Sequence, residues 1–89
     1  MYEYEIKPSL RKILKKLSKK NKQLYEQVLK KINEVVNSYN IESYKNLRHD
    51  LKEFKRVHAG HFVLVFKYGK SINKVSFEDF DHHDNIYKK

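Results

Sequence analysis

The chain contains no cysteine. No disulfide framework and no thiolate zinc site can be drawn, and nothing in the composition calls for an oxidising compartment. Glycine occurs twice and proline once, and no linker, repeat or low-complexity segment is visible. No apolar run approaches the roughly 18–20 residues that a membrane-spanning helix needs. Acids are scarce: 11 Asp and Glu stand against 20 Lys and Arg, a formal net charge of +9. That excess predicts a polyanionic or acidic partner, meaning RNA, DNA or an acidic protein. A membrane surface fits less well, because no helix joins a Lys-rich face to exposed Trp or Phe. The first residues, Met1 to Ile6, lack the basic-then-apolar order of a signal peptide, so the expected setting is cytoplasmic.

What is present reads as one domain spanning residues 1–89. Tyr2, Tyr4 and Ile6 alternate with charged residues, the two-residue period of a half-buried strand that Pro8 should end. Ser9 is the expected helix N-cap. Leu10, Ile13, Leu14 and Leu17 then lie on one helical face, with Asn21 as the break near Lys20. A second stripe, Leu24, Val28, Leu29, Ile32, Val35, Val36 and Tyr39, predicts an antiparallel partner helix. Asn37 to Tyr44 reads as a loop. From Leu47 the period changes, and Phe54–His58, Phe62–Tyr68 and Ile72–Phe80 read as strands. Gly60 and Gly69 are the expected positive-φ positions between them. The middle strand is apolar at nearly every position, so both its faces should be covered. The order predicts an α+β fold, β-α-α-β-β-β, with a helical hairpin packed on a small antiparallel sheet. The tail from Asn85 to Lys89 has little to hold it.

Two groups of side chains carry chemistry. Lys12, Lys15, Lys16, Lys19, Lys20 and Lys22 form a positive surface with scarcely an acid to pair with, suited to unspecific contact with an anion. Lys45, Arg48, Lys52, Lys55 and Arg56 form a basic ribbon suited to RNA phosphates. Strand alternation puts Lys52, Phe54 and Arg56 on one side and Lys55 on the other. All five histidines, His49, His58, His61, His82 and His83, fall in the same half of the chain. RNA can be cut without a metal if one group takes the 2′-OH proton, another protonates the leaving 5′ oxygen, and a cation stabilises the phosphorane. Metal binding by Asp81, His82, His83 and Asp84 is the competing use. Neighbouring strand residues point to opposite faces, so these four cannot reach one ion without a turn, and no metal or other cofactor is expected. Tyr87 is suited either to stacking on a base or to closing the core.

Taken in order, these features resemble the RelE/ParE superfamily of toxins from type II toxin–antitoxin modules. The resemblance rests on the N-terminal Tyr-x-Ile strand, the Leu-rich helical hairpin, Leu47 to Leu51 before a basic strand, Gly60 opening an apolar strand, and the closing His83-x-x-x-Tyr87. It implies a cognate acidic, helical antitoxin of the RelB kind as partner. It also implies, for RelE-type members, ribosome-dependent mRNA cleavage (an mRNA interferase), and for ParE-type members, inhibition of DNA gyrase without nuclease chemistry. Lys55, five residues before Gly60, matches a family catalytic lysine, and Tyr87 matches the terminal tyrosine. The histidines are similar to those of the YafQ branch, with His49 and His83 at matching places and His58 or His61 as the third.

Two departures accompany the resemblance. Phe62 stands where many RelE toxins carry arginine, and Asp81-His82-His83-Asp84 fills the place of a second arginine. The expected catalytic set is therefore His83, His61, His58, His49, Lys55 and Tyr87, with Arg48, Lys52, Arg56 and Lys45 on phosphate. The rivals are a gyrase inhibitor of the ParE kind and a degenerate toxin whose remaining role is to bind its antitoxin.

Overall fold

Four successive residues of the apolar middle strand, Val63, Leu64, Val65 and Phe66, are all buried, and the architecture follows from covering both of their faces. The computed structural model describes residues 1–48 and 51–88, without the side chains of residues 48, 51, 52 and 88. The elements are β1 (Glu3–Ile6), α1 (Pro8–Lys20), α2 (Lys22–Val36), a 3-10 turn (Ile41–Ser43), β2 (Asn46–Arg48), β3 (Leu51–Ala59), β4 (Phe62–Gly69), β5 (Lys74–His82) and α3 (His83–Lys88). The sheet order is β1-β5-β4-β3-β2.

Leu64 and Phe66 face the helical hairpin. There they join Leu10 and Leu14 of α1, Val28, Ile32, Val35 and Val36 of α2, and Val75, Phe77 and Phe80 of β5. The helical stripes read from the sequence supply this layer, although Leu29 lies 40% exposed and Tyr39, beyond the end of α2, is fully exposed. Tyr44 packs edge-on against Phe66 at 5.5 Å. Burial, with Glu34 nearby, pushes the Tyr44 phenol above its ordinary value, so it stays protonated. On the other face, Val63 and Val65 pack with Leu47 and Ile86, and Phe54 and Tyr87 close the cluster.

Several expectations are corrected. The sheet is mixed and not purely antiparallel: β1 pairs in parallel with β5, Tyr4 opposite Val75 and Ile6 opposite Phe77. The alternation of Tyr2, Tyr4 and Ile6 sets which face each residue takes, but it does not name the neighbouring strand. Lys7, not Ser9, is the N-cap of α1, and Pro8 opens the helix, where its missing N–H costs nothing. Asn21 ends α1 as expected and also caps α2, its side chain accepting from the Leu24 amide at 3.2 Å.

The β4–β5 turn takes its positive φ at Asn73 (52°) and not at Gly69, whereas Gly60 does adopt φ 64°. The Asn73 side-chain oxygen also accepts from the Tyr68 hydroxyl at 2.8 Å. β5 accordingly starts at Lys74, and Ile72 lies exposed in the turn. β2 adds a strand that was not expected. The presumed loose tail is α3, held because Ile86 is 3% exposed beneath it. No helix among the described residues is long and apolar enough to cross a membrane.

Candidate functional site

Residues paired across neighbouring strands share a face, and this sorts the candidate side chains. Arg56 lies opposite Val65 and His58 opposite Val63, so both emerge on the face that carries α3. Lys55 lies opposite Phe66 and therefore on the face of the helical hairpin. Its ammonium donates to the carbonyls of Tyr44 (3.0 Å) and Glu42 (3.3 Å) and to the Asn46 side-chain oxygen (3.5 Å). Lys55 thus ties the loop after α2 to the sheet edge, on the face opposite His58.

On the α3 face, the Arg56 guanidinium sits 5.8 Å from the centroid of the Tyr87 ring. Its Nε donates to the Asn46 carbonyl at 3.2 Å. Stacking of this kind suits arginine, whose flat cation is weakly hydrated. The Tyr87 hydroxyl is buried and has no hydrogen-bond partner. The ring is packed into the second cluster with Arg56 over it, so Tyr87 supports Arg56 and is not presented as an open stacking platform. His58, two residues beyond Arg56, is held below the ordinary histidine value. Desolvation is the largest cause, followed by the charges of Arg56 and His83. A histidine in that state is neutral at pH 7 and able to accept a proton.

The remaining histidines gather where β5 passes into α3. The His83 amide donates to the His61 carbonyl at 2.9 Å, fastening the β3–β4 turn to the start of the helix. The His61 ring lies 6.2 Å from that of His82 and 6.4 Å from that of His83, and the last two are 4.6 Å apart. His83 Nδ1 is 2.9 Å from Asp84 Oδ1, which orients the ring with Nε2 turned away from the carboxylate. His82 Nδ1 accepts from the Asp84 amide at 3.2 Å. The ligand atoms of His82, His83 and Asp84 all lie within 4.8 Å of one another. The objection that strand neighbours diverge does not hold here, because the strand ends at His82 and the chain turns.

An open pocket of about 500 Å³ lies against the second apolar cluster. Leu47, Phe54, Val65 and Ile86 form its apolar wall, and Glu78 and Asp79 its acidic side. Lys67 covers the Phe54 ring at 4.6 Å. This face therefore mixes cations with carboxylates. Lys45 is exposed at the edge beside β2. His49 and the side chains of Arg48 and Lys52 lie outside what the structure describes. The α1 lysines, Lys12, Lys15, Lys16 and Lys19, line a shallow exposed surface. Among the described residues none of them pairs with an acid. Asp84 was considered from sequence only as a metal ligand; its role in orienting His83 was signalled by nothing more than adjacency.

Comparison with known proteins agrees with the architecture. No protein-family model matches the chain. It is 57% identical over 90 residues, all of this chain and 94% of the other, to a protein of Methanocaldococcus jannaschii named "Putative toxin RelE4". An uncharacterised protein of Methanosarcina mazei is 43% identical over 88 residues, covering 98% of this chain and all of that one. Among solved structures, the toxin–antitoxin complex RelBE2 of Mycobacterium tuberculosis contains a similar fold (TM-score 0.63, 19% identity, 91% of this chain and 96% of that one). A conserved hypothetical protein of Helicobacter pylori, solved in solution, is equally similar (TM-score 0.65, 24% identity, 97% and 99% of the two chains). A chain this close to a RelE protein along its whole length, and folded this way, belongs to the RelE family of toxins of toxin–antitoxin systems.

Proposed function

We propose that this toxin is an endoribonuclease that cuts messenger RNA on the ribosome by acid–base chemistry on the α3 face of its sheet. The observation that carries the proposal is geometric: Arg56 and His58 emerge from β3 on the same face of the sheet as α3, which begins at His83. The charges of Arg56 and His83 help to hold His58 below its ordinary value. His58 accepts the proton of the 2′-OH as its oxygen attacks phosphorus. His83, oriented by Asp84, delivers a proton to the departing 5′ oxygen, leaving a 2′,3′-cyclic phosphate and a 5′-hydroxyl. Arg56, supported by Tyr87, stabilises the charge of the phosphorane. His61, beside His83, is the alternative proton donor.

In this reading Lys55 positions the loop and makes no contact with phosphate, because it emerges on the other face and is held by Glu42, Tyr44 and Asn46. Lys45, Arg48, Lys52 and the α1 lysines supply unspecific attraction to RNA, the term that falls steeply with salt. The partner antitoxin is expected to lay an amphipathic helix against the toxin and to bring acid to its basic surface. Oligonucleotides carrying a single ribonucleotide, presented in a programmed ribosomal complex, test the chemistry. A cyclic phosphate product that His58→Gln and His83→Gln each reduce at least tenfold supports it. Full cleavage by the double variant would refute it.

A further inference from the structure

The turn at the β5–α3 junction gathers nitrogen and oxygen ligands in a way that nuclease chemistry alone does not require. His82 ends β5, and His83 and Asp84 open α3, so three consecutive residues present their ligand atoms to one side of the chain. Those atoms lie within 4.8 Å of one another. Around a tetrahedral zinc ion, ligands at about 2.0–2.1 Å stand roughly 3.4 Å apart, so closure needs side-chain rotation of about 1.4 Å at most. All three side chains are partly exposed, at 39%, 42% and 62%, and can rotate by that much. The backbone beneath them is tied by hydrogen bonds. His83 N–H is bonded to the His61 carbonyl at 2.9 Å, and His82 N–H to Asp81 Oδ1 at 2.7 Å. Asp81 Oδ1 also accepts from the Asn85 side chain at 3.2 Å, so a second carboxylate braces the turn. The His61 ring stands 6.2 and 6.4 Å from those of His82 and His83, next to the group of three but outside it.

We propose that His82, His83 and Asp84 bind one divalent transition-metal ion of the zinc, cobalt or nickel type. Imidazole and carboxylate donors suit those ions, and the absence of thiolates keeps the site open and exchangeable, not structural. The bland alternative is a hydrogen-bonded His–Asp pair that holds no ion. One consequence rests on the nuclease reading: an ion at this site occupies His83 and so stops cleavage.

The test uses the full, tag-free chain titrated with cobalt(II) chloride and with zinc chloride at pH 7.5. We expect one ion per chain, saturable binding weaker than that of structural zinc sites, and cobalt d–d absorption that zinc abolishes. His82→Gln and Asp84→Asn each weaken binding at least about tenfold, while Tyr39→Ser, at a fully exposed residue beyond the end of α2, changes it less than about twofold. In the wild-type protein, zinc should shift the imidazole nitrogens of His82 and His83 in nitrogen-resolved NMR spectra, a readout that needs no variant. Absence of saturable binding, or binding that His82→Gln and Asp84→Asn leave intact, overturns the site. Zinc should also inhibit RNA cleavage by the wild type and spare His82→Gln. Metal binding by a protein that cuts no RNA would sink the nuclease reading and leave the site standing; cleavage without metal binding would do the reverse.

Discussion

Replacing Ile86 with alanine separates two ways in which α3 could be held. The helix has six residues, His83–Lys88, far below the ~12–15 at which an isolated helix becomes even marginally stable in water. Its hold on the sheet comes mainly from Ile86, 3% exposed against Leu47, Val63 and Val65, with help from half-buried Tyr87. Burying one isoleucine supplies about 1.5–3 kcal/mol. Ordering six residues opposes that by about 1 kcal/mol or more per residue before helix hydrogen bonds are counted. Helix hydrogen bonds and half-buried Tyr87 offset most of that cost, leaving the docking marginal, at about 1 kcal/mol or less. Ile86→Ala in a rigid core would cost about 2–5 kcal/mol. Here the loss is capped by the docking energy, because the helix can leave the sheet while the hairpin and strands stay folded. The thermal midpoint should fall by less than about 10 °C, at the 4–8 °C per kcal/mol typical of a domain this size. Amides of residues 84–88 should exchange with solvent almost unprotected, while those of β4 remain protected. RNA cleavage should drop about 10–100-fold, since His83 and Tyr87 leave with the helix. A midpoint lower by 15 °C or more, with α3 exchanging only through global unfolding, would refute the argument.

Other expectations are more local. Arg56→Ala should reduce cleavage about 10–1,000-fold, whereas Lys55→Met should lower stability by about 1 kcal/mol and leave cleavage of the folded protein within about threefold, measured by parallel denaturation and cleavage assays. The low-pH limb of kcat/KM should have its midpoint below the ordinary histidine value of about 6.5 and should disappear in His58→Gln. The same group links stability to pH: unfolding restores its proton affinity, so the unfolded chain binds more protons and stability rises with pH. That penalty is complete below the folded-state value of His58 and absent above about 6.5, and urea titrations of wild type and His58→Gln at several pH values should show it. Gly60→Ala should cost about 1–2 kcal/mol through its φ of 64° alone, since no atom lies within 4 Å of the added methyl.

The parts of this structure legible in the sequence are those set by period. The stripes from Leu10 to Leu17 and from Leu24 to Val36 announced the hairpin, and the unbroken apolar run Phe62–Phe66 announced a strand covered on both faces. Parity along β3 also placed Lys55 opposite Arg56. What parity could not say was which side carries the histidines, because that depends on α3. The run from Asp81 to Tyr87 contains only Ile86 and Tyr87 as apolar residues, too few to show a helical stripe, and it is held by a long-range contact with β4. The parallel partner of β1 was hidden for a similar reason, since pairing across the sheet leaves no trace in local alternation. The convergence of His82, His83 and Asp84 was likewise hidden, because strand alternation stops applying where β5 ends at His82. Period also supplied the order of elements, and the full-length likeness to a RelE protein bears out the family resemblance.

The central claim, that this RelE-family toxin acts by cutting messenger RNA, is met most directly by brief induction in a bacterial host with protein and DNA synthesis pulse-labelled separately. The account predicts a rapid fall in protein synthesis while DNA synthesis continues, and no such fall with the His58→Gln, His83→Gln double variant. A fall in DNA synthesis first would contradict it in favour of a gyrase inhibitor, and no effect on either would contradict it in favour of a toxin that has kept its fold and lost its chemistry.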